Sequence, residues 1–453
     1  MIKLPDEQIE DVQFTSKKNE GSPRYSKKKF GRFLRILGPG IVTGAADDDP
    51  SGIATYSQAG AQFGLQLPWT MLFTYPLMTA VQEACARVGA VTGKGLAAII
   101  REHYPKKVLF PVVFLVVAAN TLNIGSDLGA MAASTQLIFP SLPFPFLAAA
   151  FAVLMIVLEV FVSYHSYVRL LKWLALALFA YVITAFLVNV PWGDALRATL
   201  VPHIEFNNTF LYIIVGIFGT TISPYLFFWQ ASNVVEDEIA EHRLAQKGGM
   251  PRLTKPYLRR LRIDTVIGML FSNVSAWFII VVGAVVLGAH GVTNINSAAY
   301  AAKALEPLVQ GFPNAGYIAK IIFAVGVIGI GLMAVPVLAG SSSYAISETF
   351  SWHEGLFRKY KQAREFYLVI ALGMLIGLSF NFIGLDPIKA LIFTAVFNGI
   401  AAVPLIYFIA RLSSRSDVMG EYKSGVWSKA GLWAAFAVMG VFAVALIKSI
   451  VIP

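Results

Sequence analysis

The chain has 453 residues, of which 57% are hydrophobic and only 14% are charged, and its formal net charge at pH 7 is +10. A soluble protein of this length needs far more charge on its surface, so the composition excludes a soluble fold and indicates one polytopic membrane domain in a lipid bilayer. The single cysteine, Cys85, excludes disulfides and cysteine-based metal sites. The basic residues lie in loops on one side, so we expect no nucleic-acid partner.

The first 35 residues are polar, lack the apolar core of a signal peptide, and are expected to form a disordered cytoplasmic tail. Residues 36–453 are expected to form a single transmembrane domain. Since about 20 apolar residues cross a bilayer, the hydrophobic stretches predict eleven transmembrane helices. Their expected ranges are 36–63, 68–90, 108–132, 145–163, 166–190, 210–231, 263–288, 316–346, 366–384, 387–411 and 431–451, numbered below as spans 1 to 11.

The loops between these spans alternate in charge. The N-terminal tail and every second loop after it are rich in Lys and Arg, whereas the other loops are nearly uncharged. For example, residues 139–144 carry no charge, and residues 289–315 carry only Lys303 and Glu306. Because basic loops stay in the cytoplasm, we expect a multi-pass protein of the cell membrane with its N-terminus inside and its C-terminus outside.

Spans 1 and 6 are interrupted by charged or helix-breaking residues. Residues 46–52 read ADDDPSG, and residues 219–225 read GTTISPY. Such residues are tolerated at bilayer depth only where the freed backbone faces protein or a polar cavity. The broken spans lie five crossings apart and therefore run in opposite directions, which predicts an inverted 5+5 repeat with its substrate site between the breaks. The first repeat covers about 36–190 and the second about 210–411, with an extra helix at about 431–451.

Both breaks contain a helix-start signal. Asp49-Pro50 and Ser223-Pro224 each place a good N-cap residue before a proline at the first helical position. Each pair therefore predicts the restart of a half-helix. Two interpretations are open for each cap: it closes a kinked helix without any ligand, or it also binds the substrate. Two further aspartates beside Asp49 favour the second interpretation there, whereas for Ser223 the two are balanced.

Three consecutive carboxylates in a membrane span cannot all be ionised and unpaired. Asp49 is the first candidate ligand and Asp48 the second, while Asp47 is expected to line the aqueous approach or to pair elsewhere. Neither break contains Met, Cys or His, and an oxygen-only environment suits Mg²⁺, Ca²⁺ or Mn²⁺ and disfavours soft metals. The candidate substrate-binding residues are Asp49, Asp48, Ala46, Gly52, Thr220, Thr221, Ser223 and Tyr225, of which Asp49, Ser223 and Thr220 are the candidate metal ligands.

Few other ionisable groups lie within the spans. Asp127 and Asn123 belong to a polar stripe in span 3, which predicts either a solvated vestibule or interhelical hydrogen bonding. Glu83 and Arg87 are four residues apart and predict a helical ion pair. All six histidines lie in loops or at span ends, so a buried histidine proton relay is not expected.

The motifs around the first break resemble a known family. Residues 38–40 (GPG), 49–52 (DPSG) and 60–64 (GAQFG) are similar to the first helix of the Nramp metal-ion transporters, and the likeness continues through span 2. In span 6, residues 221–226 (TISPYL) stand where that family has a Met-Pro-His-Asn motif. The resemblance implies a LeuT-type inverted-repeat fold and a metal-binding role for Asp49.

The chain also departs from the family pattern. Gly52 stands in place of the family's asparagine, Ser223 in place of its methionine ligand, and Tyr225 in place of its histidine. A second histidine is replaced by Gln230, and Asn123 and Ser126 stand approximately where the family has acidic residues linked to proton transfer. The pattern is similar to that of the Nramp-related magnesium transporters, which also lack the methionine.

We therefore expect a secondary membrane transporter, not an enzyme and without a cofactor, that moves a hard or borderline divalent cation by alternating access. Tight proton coupling is not expected, and Asp127, Asn123 and Gln230 are the candidate proton or vestibule residues. In the main alternative, the same fold carries a small organic or cationic solute with Asp49 as counter-ion. The pocket would then be lined by Tyr225, Phe227, Phe228 and Trp229. A membrane receptor without transport is the third possibility.

Overall fold

The structure is a computed structural model that describes residues 44, 47–161, 178–244, 249, 251–295, 297–384 and 386–451. The predicted N-terminal tail and the candidate site residue Ala46 lie outside these ranges. The described part of the chain is helical throughout and contains no β-strand.

The helices follow one another closely along the chain. In order, they are α1 (Pro50–Phe63), α2 (Trp69–Thr92), α3 (Leu96–His103), α4 (Lys106–Ile138), α5 (Phe144–Phe161), α6 (Phe179–Leu187), α7 (Trp192–Leu200), α8 (Asn208–Thr221), α9 (Pro224–Ala240), α10 (Lys255–Val282), α11 (Ala298–Lys303), α12 (Ala315–Phe350), α13 (Arg364–Ser379), α14 (Pro387–Leu412), α15 (Ser416–Met419) and α16 (Val426–Val451). Short 3₁₀ turns cover Gly64–Gln66, Glu306–Val309, Tyr360–Gln362, Phe380–Phe382 and Gly420–Tyr422, and α10 continues through a π-helical and a 3₁₀ turn to His290.

Every predicted span contains one of these helices, and span 6 contains both α8 and α9. Eight segments are long and apolar enough to cross a membrane: Lys106–Ile138, Phe144–Phe161, Asn208–Ala240, Lys255–His290, Ala315–Phe350, Arg364–Phe382, Pro387–Leu412 and Val426–Val451. They correspond to spans 3, 4 and 6 to 11. Spans 1 and 5 are only partly described, because residues 36–43, 45–46 and 166–177 lie outside these ranges.

Burial shows which helices lie at the centre of the molecule. In the most apolar stretch of α8 and α9, 94% of the residues are buried, against 28% in α5 and in α13 and 33% in α16. The peripheral helices expose large apolar side chains such as Phe161 and Val444, which suits contact with lipid. The broken span 6 is therefore surrounded by the other helices, so its break opens onto protein.

A backbone contact between α8 and α14 fixes the position of the second break. A Cβ atom on Gly219 would lie 1.9 Å from the carbonyl oxygen of Ala395, and one on Gly399 would lie 2.4 Å from that of Val215. Only glycine permits this approach, because any side chain would separate the two helices. The C-terminal end of α8 is thus held directly against α14.

The ion pair predicted for span 2 is confirmed in α2. Arg87 Nη2 lies 3.0 Å from Glu83 Oε2, which is the predicted ion pair. Arg87 also donates hydrogen bonds to the hydroxyls of Ser424 and Ser428, at 2.9 and 3.0 Å, so it ties α2 to the start of α16. Cys85 is a buried free thiol.

Candidate functional site

Both helix breaks are confirmed, and both are narrower than predicted. In span 1, Asp48 and Asp49 are non-helical before α1 begins at a proline; in span 6, Ile222 and Ser223 are non-helical before α9 begins at a proline. A proline at the first helical position has no N–H group of its own to leave unpaired, and its fixed φ suits the helix, so a short turn is enough to restart the helix. The candidate residues Gly52, Thr220, Thr221 and Tyr225 consequently lie within helices that border the breaks.

Asp49 is the N-cap of α1, as predicted. Its carboxylate oxygen Oδ1 accepts hydrogen bonds from the Gly52 N–H group at 2.8 Å and from the Ser51 hydroxyl at 2.5 Å. Its other oxygen, Oδ2, accepts a hydrogen bond from the side-chain amide of Asn123 in α4 at 2.7 Å. The residue is only 1% exposed. One carboxylate therefore closes the helix with one oxygen and reaches span 3 with the other.

Ser223 stands at the N-cap position of α9, but the prediction that its side chain caps this helix is wrong. Its single hydroxyl proton is instead directed to the preceding helix, where the backbone carbonyls of Gly219, at 3.0 Å, and Thr220, at 2.9 Å, are its two acceptors. Carbonyls at the end of a helix lack internal partners, so this contact closes α8. The lone pairs of the Ser223 oxygen are left available as acceptors.

The helices that border the two breaks approach each other at Gly52. A Cβ atom on Gly52 would lie 3.0 Å from Thr220 Oγ1 and 3.7 Å from Asp49 Oδ1, so a hydroxyl and a carboxylate flank this position. One turn further along α1, the hydroxyl of Tyr56 lies 3.2 Å from Thr221 Oγ1. The structure therefore brings Asp49, Gly52, Thr220 and Thr221 together, with the helical residues that border the two breaks in contact.

Several oxygen atoms of polar residues in α4 and α8 are buried without a hydrogen-bond partner among the described residues. They are Thr220 Oγ1, Asn123 Oδ1 and both carboxylate oxygens of Asp127, on residues that are at most 1% exposed. A buried unpaired oxygen is costly, and its usual partner is an ordered water, an ion or a ligand. Rotation of the Asn123 amide would turn its Oδ1 towards Asp49 Oδ2. The donor set then consists of carboxylate, amide and hydroxyl oxygens.

Asp47 and Asp48 point towards span 7. The hydroxyl of Ser272 in α10 lies 2.7 Å from Asp47 Oδ2 and 3.0 Å from Asp48 Oδ1, and both aspartates are fully buried. Of the two arrangements expected for Asp47, the structure thus has pairing with another residue. A hydroxyl carries one proton and can donate to only one of these carboxylates at a time. Asp48, the second candidate ligand, therefore contacts α10, whereas Asn123 in α4 contacts Asp49.

The remaining candidates lie in α9. Tyr225 is fully buried, and its backbone carbonyl accepts a hydrogen bond from the Ser341 hydroxyl at 2.8 Å. Gln230 is also fully buried and follows Tyr225 by five residues, which is about 7.5 Å along a helix axis. Within the described residues, no group of three or more His, Cys, Asp and Glu is arranged to hold a metal ion. A cation at the breaks would consequently rely on one carboxylate together with neutral oxygens.

Two residues that contact the aspartates were not identified from the sequence. Ser272 lies more than 220 positions after Asp47 and Asp48 and forms hydrogen bonds with both. The only sequence feature that could have indicated this role is the polar pair of Ser272 and the following asparagine within an otherwise apolar span. Ser51 donates a hydrogen bond to Asp49, two residues before it. Because serine hydroxyls often bond to groups this close in sequence, the sequence could have indicated this contact.

Comparison with known proteins identifies relatives along nearly the whole chain. The family model described as "Natural resistance-associated macrophage protein-like" matches residues 40–449. A divalent metal cation transporter MntH of Deinococcus radiodurans is 26% identical over 403 residues, which cover 86% of this chain and 84% of that protein. An MntH of Klebsiella pneumoniae is 24% identical over 423 residues, which cover 91% of this chain and 93% of that protein. These relatives are transporters rather than enzymes.

Solved structures with the same fold are also transporters. The Eremococcus coleocola manganese transporter, in complex with an aromatic bis-isothiourea substituted compound, superposes with a TM-score of 0.71 at 18% identity, over 94% of this chain and 88% of that one. The nucleobase-cation-symport-1 family transporter Mhp1 superposes with a TM-score of 0.57 at 14% identity, over 92% and 90% of the two chains. MhsT in complex with L-phenylalanine reaches 0.58 at 15% identity, over 90% and 98%. These likenesses confirm the predicted all-helical, LeuT-type fold.

Proposed function

Since this chain belongs to the Nramp family, we propose that it is a secondary transporter that moves a hard or borderline divalent cation, of the Mg²⁺ or Mn²⁺ type, by alternating access. The observation that supports the proposal best is the contact of the two helix breaks around Asp49, a buried carboxylate with neutral oxygens beside it. The relatives named divalent metal cation transporters, and the manganese transporter of the same fold, support metal as the cargo.

The two oxygens of Asp49 have different roles in this proposal. Oδ1 remains the helix cap, because it accepts bonds from two donors of α1. Oδ2 has one donor, the amide of Asn123, which belongs to another helix and can rotate away. A cation binds by taking the place of that amide N–H, and the rotated Asn123 then offers its oxygen to the same ion. Asp49 Oδ2, Asn123 Oδ1, Thr220 Oγ1 and Ser223 Oγ are the proposed ligands.

The chemistry of these ligands sets the class of cation. Ser223 offers a hydroxyl at the position where the family pattern has a thioether, and none of the proposed ligands is sulfur or nitrogen. Oxygen ligands suit Mg²⁺, Ca²⁺ and Mn²⁺, whereas thioethers favour softer ions. We therefore propose that this chain does not select soft cations such as Cd²⁺.

We also propose that transport is not tightly coupled to protons. A coupled proton needs a group that gains and loses it during the cycle, and the amides and hydroxyls of Asn123, Ser126 and Gln230 cannot do so. The proposed orientation follows the loop charges, with the N-terminus in the cytoplasm and the C-terminus outside. The proposed domain organisation is the single transmembrane domain of residues 36–453, with repeats at about 36–190 and 210–411.

Direct binding measurements test the choice of substrate. We expect isothermal titration of the purified chain in lipid nanodiscs to show saturable binding of Mg²⁺ and Mn²⁺. The same titration with a quaternary ammonium compound serves as the control for an organic solute. Binding of the organic cation, without binding of Mg²⁺, Mn²⁺ or Ca²⁺, would replace the proposal by the alternative in which Asp49 is a counter-ion.

Proteoliposomes loaded with a pH-sensitive dye test the coupling. We expect uptake of Mn²⁺ without a matching acidification of the lumen, and a proton-coupled relative in the same preparation provides the positive control. Acidification in proportion to Mn²⁺ uptake would contradict the uncoupled mechanism.

A further inference from the structure

On the face that the loop charges assign to the cytoplasm, α9 and α12 are joined by a buried carboxylate. Glu348 lies in the last turn of α12 and is only 3% exposed. Its Oε1 accepts a hydrogen bond from the hydroxyl of Ser232 in α9 at 2.8 Å, and its Oε2 accepts one from the backbone N–H group of Ala98 in α3 at 3.0 Å. One side chain thus fastens the second half of the broken span 6, and a short helix, to an unbroken span.

The start of α3 is suited to receive this carboxylate. The N-cap of α3 is Gly95, which offers no side chain to the first N–H groups of the helix. A Cβ atom on Gly95 would overlap the carboxylate of Glu348, so the glycine makes room for it. Glu348 therefore caps α3 from another helix, at the end where the helix dipole favours a negative charge. Arg101 adds a positive charge there, since it donates to the backbone carbonyl of Glu348 and to the hydroxyl of Ser351.

A second carboxylate makes the reverse connection. Glu236 in α9 is 7% exposed and accepts hydrogen bonds from the phenol of Tyr344 in α12 and from the backbone N–H group of Leu356 in the following loop. Both carboxylates line a cavity of about 290 Å³, together with residues of α3 and of the loop after α12. Trp352 and His353 also line this cavity and are exposed, so it lies at the surface of the molecule.

These contacts lie between the cation site and the cytoplasm. Ser232 follows Ser223 by nine residues, which is about 13 Å along a helix axis. Buried polar contacts hold two helices together less strongly than apolar packing does, because water replaces their hydrogen bonds once the helices separate. Apolar side chains in the same place would resist separation, since they would be exposed to water. The polar contact between α9 and α12 is therefore suited to form and break repeatedly.

We propose that Glu348 closes the cytoplasmic side of the transporter by fastening α9 and α3 to α12, and that release of this contact joins the surface cavity to the cation site. This inference rests on the proposed function, since a closing contact has a role only in a protein that alternates between two openings. Glu348 is a positioning residue, because it acts on the helices and is not a ligand of the cation. Its role requires no gain or loss of a proton, in agreement with uncoupled transport.

Cysteine labelling of membrane vesicles in the absence of divalent cations tests the contact. Cys85 is the only cysteine of the chain, so Cys85→Ala provides an unreactive background. Ala345→Cys, at a fully buried position one turn before Glu348, reports access of a membrane-impermeant maleimide from the cytoplasmic side in inside-out vesicles. Ala302→Cys, at a buried position of α11 in the external loop 289–315, reports access from the other side in right-side-out vesicles.

We expect the contact to open according to the hydrogen bonds removed, because a buried thiol reacts only in the open form. One hydrogen bond shifts a two-state equilibrium on the order of fivefold. The labelling rate of Ala345→Cys should therefore rise about fivefold in Ser232→Ala and on the order of 25-fold in Glu348→Ala.

Two further variants serve as controls. Glu348→Gln keeps an acceptor for the Ala98 N–H group and a polar group beside Ser232, so we expect it to label near the wild-type rate. Thr349→Val removes a buried hydroxyl from the same end of α12, but one that bonds within its own helix, to the Ala345 carbonyl. It should also label like the wild type.

The possible results distinguish this inference from the proposed function. An unchanged labelling rate of Ala345→Cys in both Ser232→Ala and Glu348→Ala would overturn the inference. An equal rise at Ala302→Cys would also overturn it, because it would show a general loosening of the fold. Either result leaves Mn²⁺ binding by the wild type, and with it the proposed function, intact. If Glu348→Ala is not recovered as a folded protein, Ser232→Ala decides. Absence of Mn²⁺, Mg²⁺ and Ca²⁺ binding in the wild type would refute the proposed function itself.

Discussion

The two roles of Asp49, helix cap and cation ligand, can be separated by two substitutions. Asn is as good an N-cap residue as Asp, so Asp49→Asn keeps the hydrogen bonds from the Gly52 N–H group and the Ser51 hydroxyl but removes the charge. The new amide N–H₂ would face Asn123, whose Oδ1 has no partner in the described part of the chain. Rotation of the Asn123 amide would let this oxygen accept a hydrogen bond from the new N–H₂ group. Asp49→Ala removes the cap and the charge together.

The expected energies of the two variants differ clearly. Asp49→Ala loses an N-cap, which costs about 1 kcal/mol. It also leaves the buried donors of Ser51 and Asn123 without acceptors, at about 1 kcal/mol or more each. We therefore expect the free energy of unfolding to fall by about 3 kcal/mol in Asp49→Ala and by less than about 1 kcal/mol in Asp49→Asn. Loss of the charged ligand should cost both variants about 2 kcal/mol of binding energy, or about 30-fold in Kd.

Thermal unfolding with and without Mn²⁺ measures both effects in one assay. At a Mn²⁺ concentration 100 times the wild-type Kd, bound cation stabilises the wild type by about 2.7 kcal/mol, and a 30-fold weaker Kd reduces this to about 0.9 kcal/mol. We expect Asp49→Asn to unfold like the wild type without Mn²⁺ and to lose most of the Mn²⁺-dependent shift. A full Mn²⁺ shift in Asp49→Asn would show that Asp49 is a cap and not a ligand.

Three further substitutions probe the neighbourhood of the site. Ser223→Met should shift preference in transport from Mg²⁺ towards Cd²⁺, because a thioether replaces a hydroxyl; strong Cd²⁺ transport by the wild type that the substitution leaves unchanged would contradict this. Gly52→Ala places a Cβ atom 3.0 Å from Thr220 Oγ1, so it should separate the two breaks and weaken cation binding, and an unchanged Kd would argue against the contact. Gln58 accepts a hydrogen bond from the Ile295 N–H group at 2.8 Å, so Gln58→Ala should speed hydrogen exchange of that amide about tenfold; unchanged exchange would refute the contact.

The sequence predicted the fold because its signals are local or periodic. Apolar length alone located a helix in every predicted span, since the bilayer sets that length. The Asp49-Pro50 cap was also predictable, because an N-cap bonds to N–H groups within three residues. Ser223 followed the same pattern and behaved differently, because a serine hydroxyl can equally donate to carbonyls three or four residues back. Local sequence does not decide between these two hydrogen bonds.

The contacts between helices could not be predicted in the same way. Asn123 reaches Asp49 across 74 positions, and Ser272 reaches Asp47 across 225. Such contacts depend on the rotation of each helix about its axis, which packing decides and hydropathy does not. The apolar stretches of this chain carry little periodicity, since most of their residues are apolar whether they face lipid or protein. For the same reason the sequence marked Asp127 as unusual but left its surroundings open.

The most direct test of the central claim is uptake of the cation itself. Wild type and Asp49→Asn are reconstituted in parallel into liposomes containing a fluorescent Mn²⁺ or Mg²⁺ indicator, at matched protein content and with empty liposomes as the background. We predict saturable uptake of Mn²⁺ or Mg²⁺ by the wild type and uptake near background by Asp49→Asn. Equal uptake of Mn²⁺ or Mg²⁺ by both proteins would contradict the account. A wild type that binds an organic cation but takes up neither metal ion would also contradict it.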